Sequence, residues 1–162
     1  MKIAKVRDVK TPVRGTSKSA GIDFFVPNDY FEAHVAPGAD ILIPSGIKAD
    51  IPEGYMLMAA DKSGVVTSRV AVVASGKTAK PGSFDSVLII GAKICDEDYQ
   101  GEIHIHLINV GQRHVIIKPG MKIAQFILVP VNYESIELVD EKDLFSKVSE
   151  RGEGSFNSTG RY

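Results

Sequence analysis

The sequence predicts an all-β protein, a sandwich or barrel built from many short strands. Turn signals recur at short intervals along the chain, at Pro37-Gly38, Pro44-Ser45-Gly46, Pro52-Glu53-Gly54, Pro81-Gly82 and Pro119-Gly120. Runs rich in Val and Ile lie between them and predict strands at 41–43, 55–59, 87–90, 103–110, 114–117 and 123–131. Short strands with close turn spacing are typical of sandwiches and barrels. Only residues 141–149 show helical spacing, and we expect a short helix there.

Composition indicates an ordinary globular domain. The chain has 162 residues, of which 44% are hydrophobic and 24% charged, enough for one domain with a real core. The formal net charge of −1 gives no general field for nucleic acid or an acidic membrane, so a polyphosphate ligand would need a local basic cluster. A single cysteine allows no intrachain disulfide. The N-terminus lacks the apolar run of a signal peptide and no segment could span a membrane, so we expect a cytosolic protein, or one in a host cytosol.

Residues 91–102 combine acidic side chains, a tyrosine and a glycine turn between two apolar runs. Asp96 and Asp98 share one face of an extended chain, and Cys95 points the other way. A solvated hairpin tip is the simplest interpretation. Cys95 could be a nucleophile only beside a base and with exposure, so a buried strand cysteine is the favoured interpretation.

Three further segments carry polar residues at positions suited to a binding site. Asp23 lies two residues after Gly21 and precedes an apolar strand. Lys62-Ser63-Gly64 offers a cation, a hydroxyl and a flexible turn, which suit phosphate oxygens, although a simple turn explains it equally well. Gln125 interrupts an apolar run and needs hydrogen-bonding partners if buried.

The C-terminal residues 151–162 have the composition of a disordered tail. They include Arg151, Ser158, Thr159 and several glycines, which together can cradle phosphate, and Phe156, which can stack on a base.

Taken in chain order across residues 19–160, these five segments resemble the five signatures of the trimeric dUTPase family. The departures from the family pattern are Lys62, Lys93, Ser155, Asn157 and a longer loop at 76–86. The resemblance implies a distorted β jelly roll, or β-clip-like barrel, assembled as a homotrimer with active sites at subunit boundaries. It also implies a β domain at residues 1–150 and a mobile C-terminal arm at 151–162 that closes over the site.

The resemblance implies hydrolysis of dUTP to dUMP and pyrophosphate, which keeps uracil out of DNA and supplies dUMP for thymidylate synthesis. Asp96 would be the catalytic base, because an ionised aspartate can orient and deprotonate water. Asp23 and Asp98 would support the site, and Mg²⁺ would be held by substrate phosphates and water, without a direct protein ligand. The implied substrate-binding residues are Lys62, Ser63, Gly64, Ile94, Cys95, Tyr99, His104, Gln125, Arg151, Phe156, Ser158 and Thr159.

Two alternatives stay open at this stage. The related dCTP deaminases carry a catalytic glutamate where this chain has His106, which disfavours deamination. A non-catalytic β-sandwich that binds nucleotides or a protein is the second alternative, disfavoured because Asp96, Tyr99, Gln125 and Arg151 are all retained. His104 and His106 share a strand face at a spacing that can hold zinc, but no third ligand is near in sequence.

Overall fold

A computed structural model describes residues 1–66, 87–150 and 152–153 and the backbone of residues 72–73. The chain divides into two compact units, Met1–Asn132 and Tyr133–Tyr162. The strands are β1 Lys2–Lys5, β2 Val13–Arg14, β3 Ile22–Phe25, β4 Ala33–Val35, β5 Asp40–Pro44, β6 Ile47–Asp50, β7 Tyr55–Ala60, β8 Val72–Val73, β9 Leu88–Ile90, β10 Ile94–Cys95, β11 His104–Asn109, β12 Val115–Ile117 and β13 Lys122–Pro130. Two short helical turns are α1 at Ser63–Val66 and a 3₁₀ turn at Glu141–Asp143.

The described strands form four sheets in the first unit. The largest has the order β10-β7-β13-β3-β2, two others have the orders β5-β11-β9 and β4-β12-β8, and β1 pairs with β6. Every pairing is antiparallel. The all-β prediction is therefore confirmed.

The largest sheet buries one face and leaves the other partly exposed. Leu57 and Ala59 of β7 and Phe126 of β13 point into the core, where the Phe126 ring lies 4.4 Å from that of Phe24. Because successive side chains of a strand alternate between faces, Gln125 of β13 points to the opposite, outer face. In the register, Gln125 lies between Asp23 of β3 and Ala60 of β7.

The six predicted strands are present, with no end shifted by more than one residue. The prediction missed the short strands β1, β2, β4, β6 and β8. β1 and β2 are exposed, whereas two of the three residues of β4 are buried. The prediction that residues 91–102 form the tip of a hairpin is confirmed, because β9 before them and β11 after them pair antiparallel. The pairing of β10, which lies within this segment, with β7 of the largest sheet was not predicted. β10 and β11 therefore belong to different sheets.

The predicted helix at 141–149 is also wrong beyond its first turn. Only Glu141–Asp143 is helical, as a 3₁₀ turn. Leu144, Phe145 and Val148 were expected to form its apolar face, and they are 57%, 78% and 97% exposed. A short helix gains most of its stability from packing an apolar face, and these side chains have no such packing here. In the described ranges, no helix has the length and apolar character needed to cross a membrane.

Candidate active site

The divergence of β10 and β11 opens a cavity of about 230 Å³. Its floor is apolar, with Ala59 and Phe126 from the inner face of the largest sheet. Its rim comes from the 91–104 segment and includes Asp96, Tyr99 and His104. Ile94, Cys95, Lys93, Ala92, Leu42 and Ile103 complete the lining. The structure therefore brings five of the six predicted residues of this segment together around one concave surface, and Asp98 is not part of its lining.

Asp96 lies exposed at this cavity, whereas Cys95 is half-buried against the core. Burial, and then the charge of Asp96, raise the pKa of the Cys95 thiol. A neutral, partly buried thiol is a poor nucleophile, which agrees with the interpretation of Cys95 as a strand residue. Asp98 is exposed beyond the strand. The backbone turns here through a hydrogen bond from Tyr99 N–H to Asp96 O of 3.2 Å.

One backbone carbonyl holds both aromatic side chains of the rim. Tyr99 Oη donates to Glu102 O at 2.9 Å, and His104 Nδ1 lies 2.8 Å from the same oxygen. Because a carbonyl only accepts, His104 Nδ1 must carry the proton. The Tyr99 ring lies directly over Gly101, where an added Cβ would be 2.3 Å from Tyr99 Oη. The sequence alone indicated no role for Glu102, and its position directly after Gly101 was the only available signal.

The outer face of the largest sheet carries a cluster of charged and polar side chains, Asp23, Lys62, Lys122 and Gln125, which we call the outer-face cluster. Asp23 is 5% exposed and accepts from Lys62 Nζ at 2.9 Å and from Lys122 Nζ at 2.9 Å, each on a different carboxylate oxygen. Burial alone would raise the pKa of Asp23, but the hydrogen bonds from Lys122 and Lys62 outweigh it and lower that pKa. The expected role of Asp23 as a support agrees with these contacts.

Gln125 is the fourth member of the outer-face cluster, and its side chain requires a glycine at position 21. Gln125 Nε2 donates to Asp61 O at 2.8 Å, and Asp61 Oδ1 accepts from Ile90 N–H at 2.6 Å. An added Cβ on Gly21 would lie 2.0 Å from Gln125 Oε1, so only glycine permits this approach. Ser63 and Gly64 lie in α1, directly after Lys62.

His106 is engaged away from the cavity. Its Nδ1 accepts from Ala92 N–H at 3.0 Å, so Nε2 carries the proton and donates to Asp40 Oδ2 at 3.0 Å. Across the ranges that the structure describes, no three His, Cys, Asp or Glu side chains cluster in a way that could hold a metal ion. Arg151, Phe156, Ser158 and Thr159, and the loop at 76–86, lie outside the described residues.

The structure shows an all-β domain with a half-apolar cavity, an exposed carboxylate at the cavity rim and a separate lysine cluster. These features define a ligand-binding β protein with a candidate hydrolytic site. The family model for dUTPase matches residues 7–160 of the chain. The chain is 33% identical over 159 residues to the deoxyuridine 5′-triphosphate nucleotidohydrolase of Hydrogenobaculum sp. (strain Y04AAS1), covering 98% of this chain and 96% of that relative. It is 40% identical over 124 residues to the enzyme of the same name from Chlamydia pneumoniae, covering 76% and 73%.

Among solved structures, the Staphylococcus bacteriophage 80alpha dUTPase with dUPNHPP matches the fold with a TM-score of 0.76. The two chains are 23% identical, and the match covers 98% of this chain and 97% of the phage protein. The likeness supports the jelly-roll fold. The chain belongs to the dUTPase family, as the match to its family model and the curated relatives show.

Proposed function

We propose that this chain hydrolyses dUTP to dUMP and pyrophosphate, with the nucleoside in the cavity and Asp96 as the general base. Membership of the dUTPase family supports the reaction. The observation that carries the site is the exposed Asp96 carboxylate at the rim of a cavity whose floor is apolar. A deamination reaction lacks support, because His106 stands where the deaminases use a glutamate and its ring is held by Ala92 and Asp40.

The cavity suits a pyrimidine base and a deoxyribose. β10 is the edge strand of the largest sheet, so one row of its backbone groups has no partner strand in the described chain and is available to a base. Ile94, Cys95 and the start of β11 at His104 supply this polar edge, and Tyr99 supplies a ring for the sugar. A ring held against the sugar leaves no room for a 2′-hydroxyl, which favours dUTP over UTP.

The reaction needs one bond made and one broken at the α-phosphorus. Asp96 accepts a proton from a water molecule, whose oxygen forms the new P–O bond. The bond from the α-phosphorus to the bridging oxygen breaks, and pyrophosphate leaves with that electron pair. The exposure of Asp96 leaves room for both the water and the phosphorus beside it.

The triphosphate needs cations and donors, and the outer-face cluster offers them. Lys62 Nζ is already oriented by Asp23, Ser63 follows Lys62 in the chain, and Gln125 bonds the carbonyl of Asp61 beside it. Arg151, Ser158, Thr159 and Phe156 of the C-terminal arm would complete the phosphate and base contacts. Mg²⁺, when bound, would neutralise the charge of the phosphates and align the triphosphate for attack by water. Its ligands would be oxygens of the substrate phosphates and of water.

The cavity and the outer-face cluster of one chain cannot serve the same substrate. The cavity contacts the inner face of the largest sheet through Ala59 and Phe126, whereas Asp23 and Gln125 lie on its outer face. A site that uses both therefore takes its cavity from one copy and its lysine cluster from another. This geometry supports the homotrimer with shared sites, since closed assemblies can pair two different surfaces of identical chains.

One experiment tests the activity and the sharing of sites together. Pyrophosphate release is measured with dUTP, dCTP, dTTP and UTP for the wild type and for the variants Asp96→Asn and Lys62→Met. We expect release from dUTP alone, and a loss of about a hundredfold or more in Asp96→Asn, the usual scale for a general base. Ammonia release from dCTP would instead identify a deaminase.

Asp96→Asn and Lys62→Met, each expected to be inactive alone, are then unfolded together and refolded as a mixture. A shared site is intact only when Asp96 comes from a Lys62→Met chain and Lys62 comes from an Asp96→Asn chain. In randomly mixed assemblies about a quarter of the sites meet this condition, so activity should return to about a quarter of the wild-type value. Each variant refolded alone is the control. No recovery in a mixture whose subunits have exchanged would contradict the sharing of sites, while leaving the activity itself intact.

A further inference from the structure

Arg7 lies outside every segment considered above, yet its side chain reaches the residue that holds the cavity rim. Arg7 Nε donates to Glu102 Oε1 at 2.9 Å. The same carboxylate oxygen accepts from Gly46 N–H at 2.7 Å. The Glu102 side chain is 17% exposed, so its charge is largely withdrawn from water and held by these two donors.

The backbone carbonyl of Glu102 links this anchored side chain to two residues of the cavity rim. Its carbonyl accepts from Tyr99 Oη and from His104 Nδ1, which uses both lone pairs of the oxygen. Tyr99 itself is 44% exposed, so core packing does not fix its ring. The position of the ring therefore depends on where the Glu102 carbonyl lies.

Arg7 is well placed to fix that position, because its own backbone is anchored. The neighbouring Val6 donates its N–H to Gly46 O at 2.8 Å. On the other side Val9 is 2% exposed and packs so closely on Gly46 that an added Cβ there would lie 2.8 Å from Val9 Cγ1. The guanidinium thus projects from a fixed segment, and its second partner, Asp29, is more distant at 3.7 Å.

We propose that Arg7, acting through Glu102, is a positioning residue that sets the Tyr99 ring and thereby the selection of deoxyribose over ribose. This inference rests on the proposed function for its effect on catalysis, since Tyr99 must face the sugar. The chemistry at Asp96 does not pass through Arg7, so loss of Arg7 weakens nucleoside binding more than it slows the reaction.

The variant Arg7→Gln tests this role by kinetics. It removes the charge-assisted bond to Glu102, and the loss of one such bond predicts a KM for dUTP raised by about threefold to tenfold with kcat nearly unchanged. The ratio of kcat/KM for dUTP to that for UTP should fall by a similar factor. Arg7→Lys keeps the charge and should recover part of the ratio. Asp29→Asn removes the other partner of Arg7 and is the matched control, which should leave both constants unchanged.

A second readout does not depend on activity. The chain has five tyrosines, so incorporation of 3-fluorotyrosine gives a small set of ¹⁹F resonances, and Tyr99→Phe identifies that of Tyr99. Arg7→Gln should shift this resonance, and Glu102→Gln should shift it in the same way.

The outcomes separate the inference from the function on which it rests. An unchanged Tyr99 resonance and an unchanged dUTP:UTP ratio in folded Arg7→Gln would overturn the positioning role, even if the melting temperature fell. If Arg7→Gln does not fold, Glu102→Gln, which keeps an acceptor for Gly46, decides in its place. Failure of the wild type to hydrolyse dUTP would sink the proposed function, while the resonance would still report whether Arg7 positions Tyr99.

Discussion

The outer-face cluster and the 91–104 segment organise polar residues in two different ways. In the cluster, Asp23 is fixed by the register of β3 on β13 and is almost fully buried, so its contacts are part of the sheet. In the 91–104 segment, Asp96 and Tyr99 are exposed, and the Tyr99 ring is held by the Glu102 carbonyl over Gly101. Changes in the cluster should therefore alter both stability and activity, whereas changes in the segment should alter activity and selectivity alone.

The largest effect on stability is expected for Asp23→Asn, which tests whether the cluster contributes to folding. The amide cannot pair with two ammonium groups, so the free energy of unfolding should fall by about 1.5–3 kcal/mol, the range for hydrogen bonds to charged groups. Displacement of Lys62 should also lower turnover by about tenfold to a hundredfold. Thermal melts and pyrophosphate release measure the two effects.

The pH dependence of Asp23→Asn sharpens this test. The pKa of Asp23 is lowered from its ordinary value of 3.8, so the ionised form stabilises the folded state. That contribution is fully present above the ordinary value and is lost as the pH falls through the folded-state pKa. The variant should lack this loss. Asp50→Asn removes an ion pair with Lys2 whose side chains are 89% and 71% exposed, and as a control it should leave the melts unchanged.

A smaller effect is expected for Gly101→Ala, which changes the 91–104 segment alone. The added Cβ would lie 2.3 Å from Tyr99 Oη, so the exposed ring must move. Stability should change by no more than about 0.5 kcal/mol. The kcat/KM ratio of dUTP to UTP should fall, because the moved ring opens space beside the sugar.

Gly15→Ala is the matched control for this substitution. Its Cβ would meet only Ser19 Oγ, at an ordinary 3.5 Å. If Gly101→Ala lowered the melting temperature strongly and left the ratio unchanged, the segment would be a structural element like the cluster, and the contrast between the two regions would fail.

The two regions also differ in what the sequence could predict. Two strands beside the cluster, β7 and β13, were predicted from apolar runs between proline turns. Asp23, Lys62 and Gln125 were found as polar residues within or directly after apolar runs. Lys122 was missed as a partner of Asp23, because a lysine at the start of a strand looks like an ordinary exposed residue. Its role follows only from the β3–β13 register, which one sequence does not specify.

The 91–104 segment was predicted in its residues and as the tip of a hairpin, since β9 and β11 pair antiparallel on either side of it. Its composition did not indicate that β10 pairs with β7 of the largest sheet, so that β10 and β11 enter different sheets beside the cavity. Strand pairing depends on partners far away in sequence, so local pattern could not predict this divergence. The same limit explains the missed link from Arg7 to Glu102, which joins residues 95 positions apart.

The smallest effect is expected for Cys95→Ser, at the junction of β10 and the exposed segment. Burial and the nearby Asp96 raise the pKa of the Cys95 thiol, so it is protonated at neutral pH and cannot act as a nucleophile. The hydroxyl of serine is close to the thiol in size, so turnover with dUTP should stay within about twofold of the wild type.

Since the chain has a single cysteine, its alkylation by iodoacetamide can be followed by intact mass. The folded protein should react more slowly than the urea-unfolded chain at pH 7, and faster as the pH rises. Rapid alkylation at pH 7, or loss of turnover in Cys95→Ser, would show that the catalytic region extends into the strand and that Asp96 does not act alone at the cavity rim.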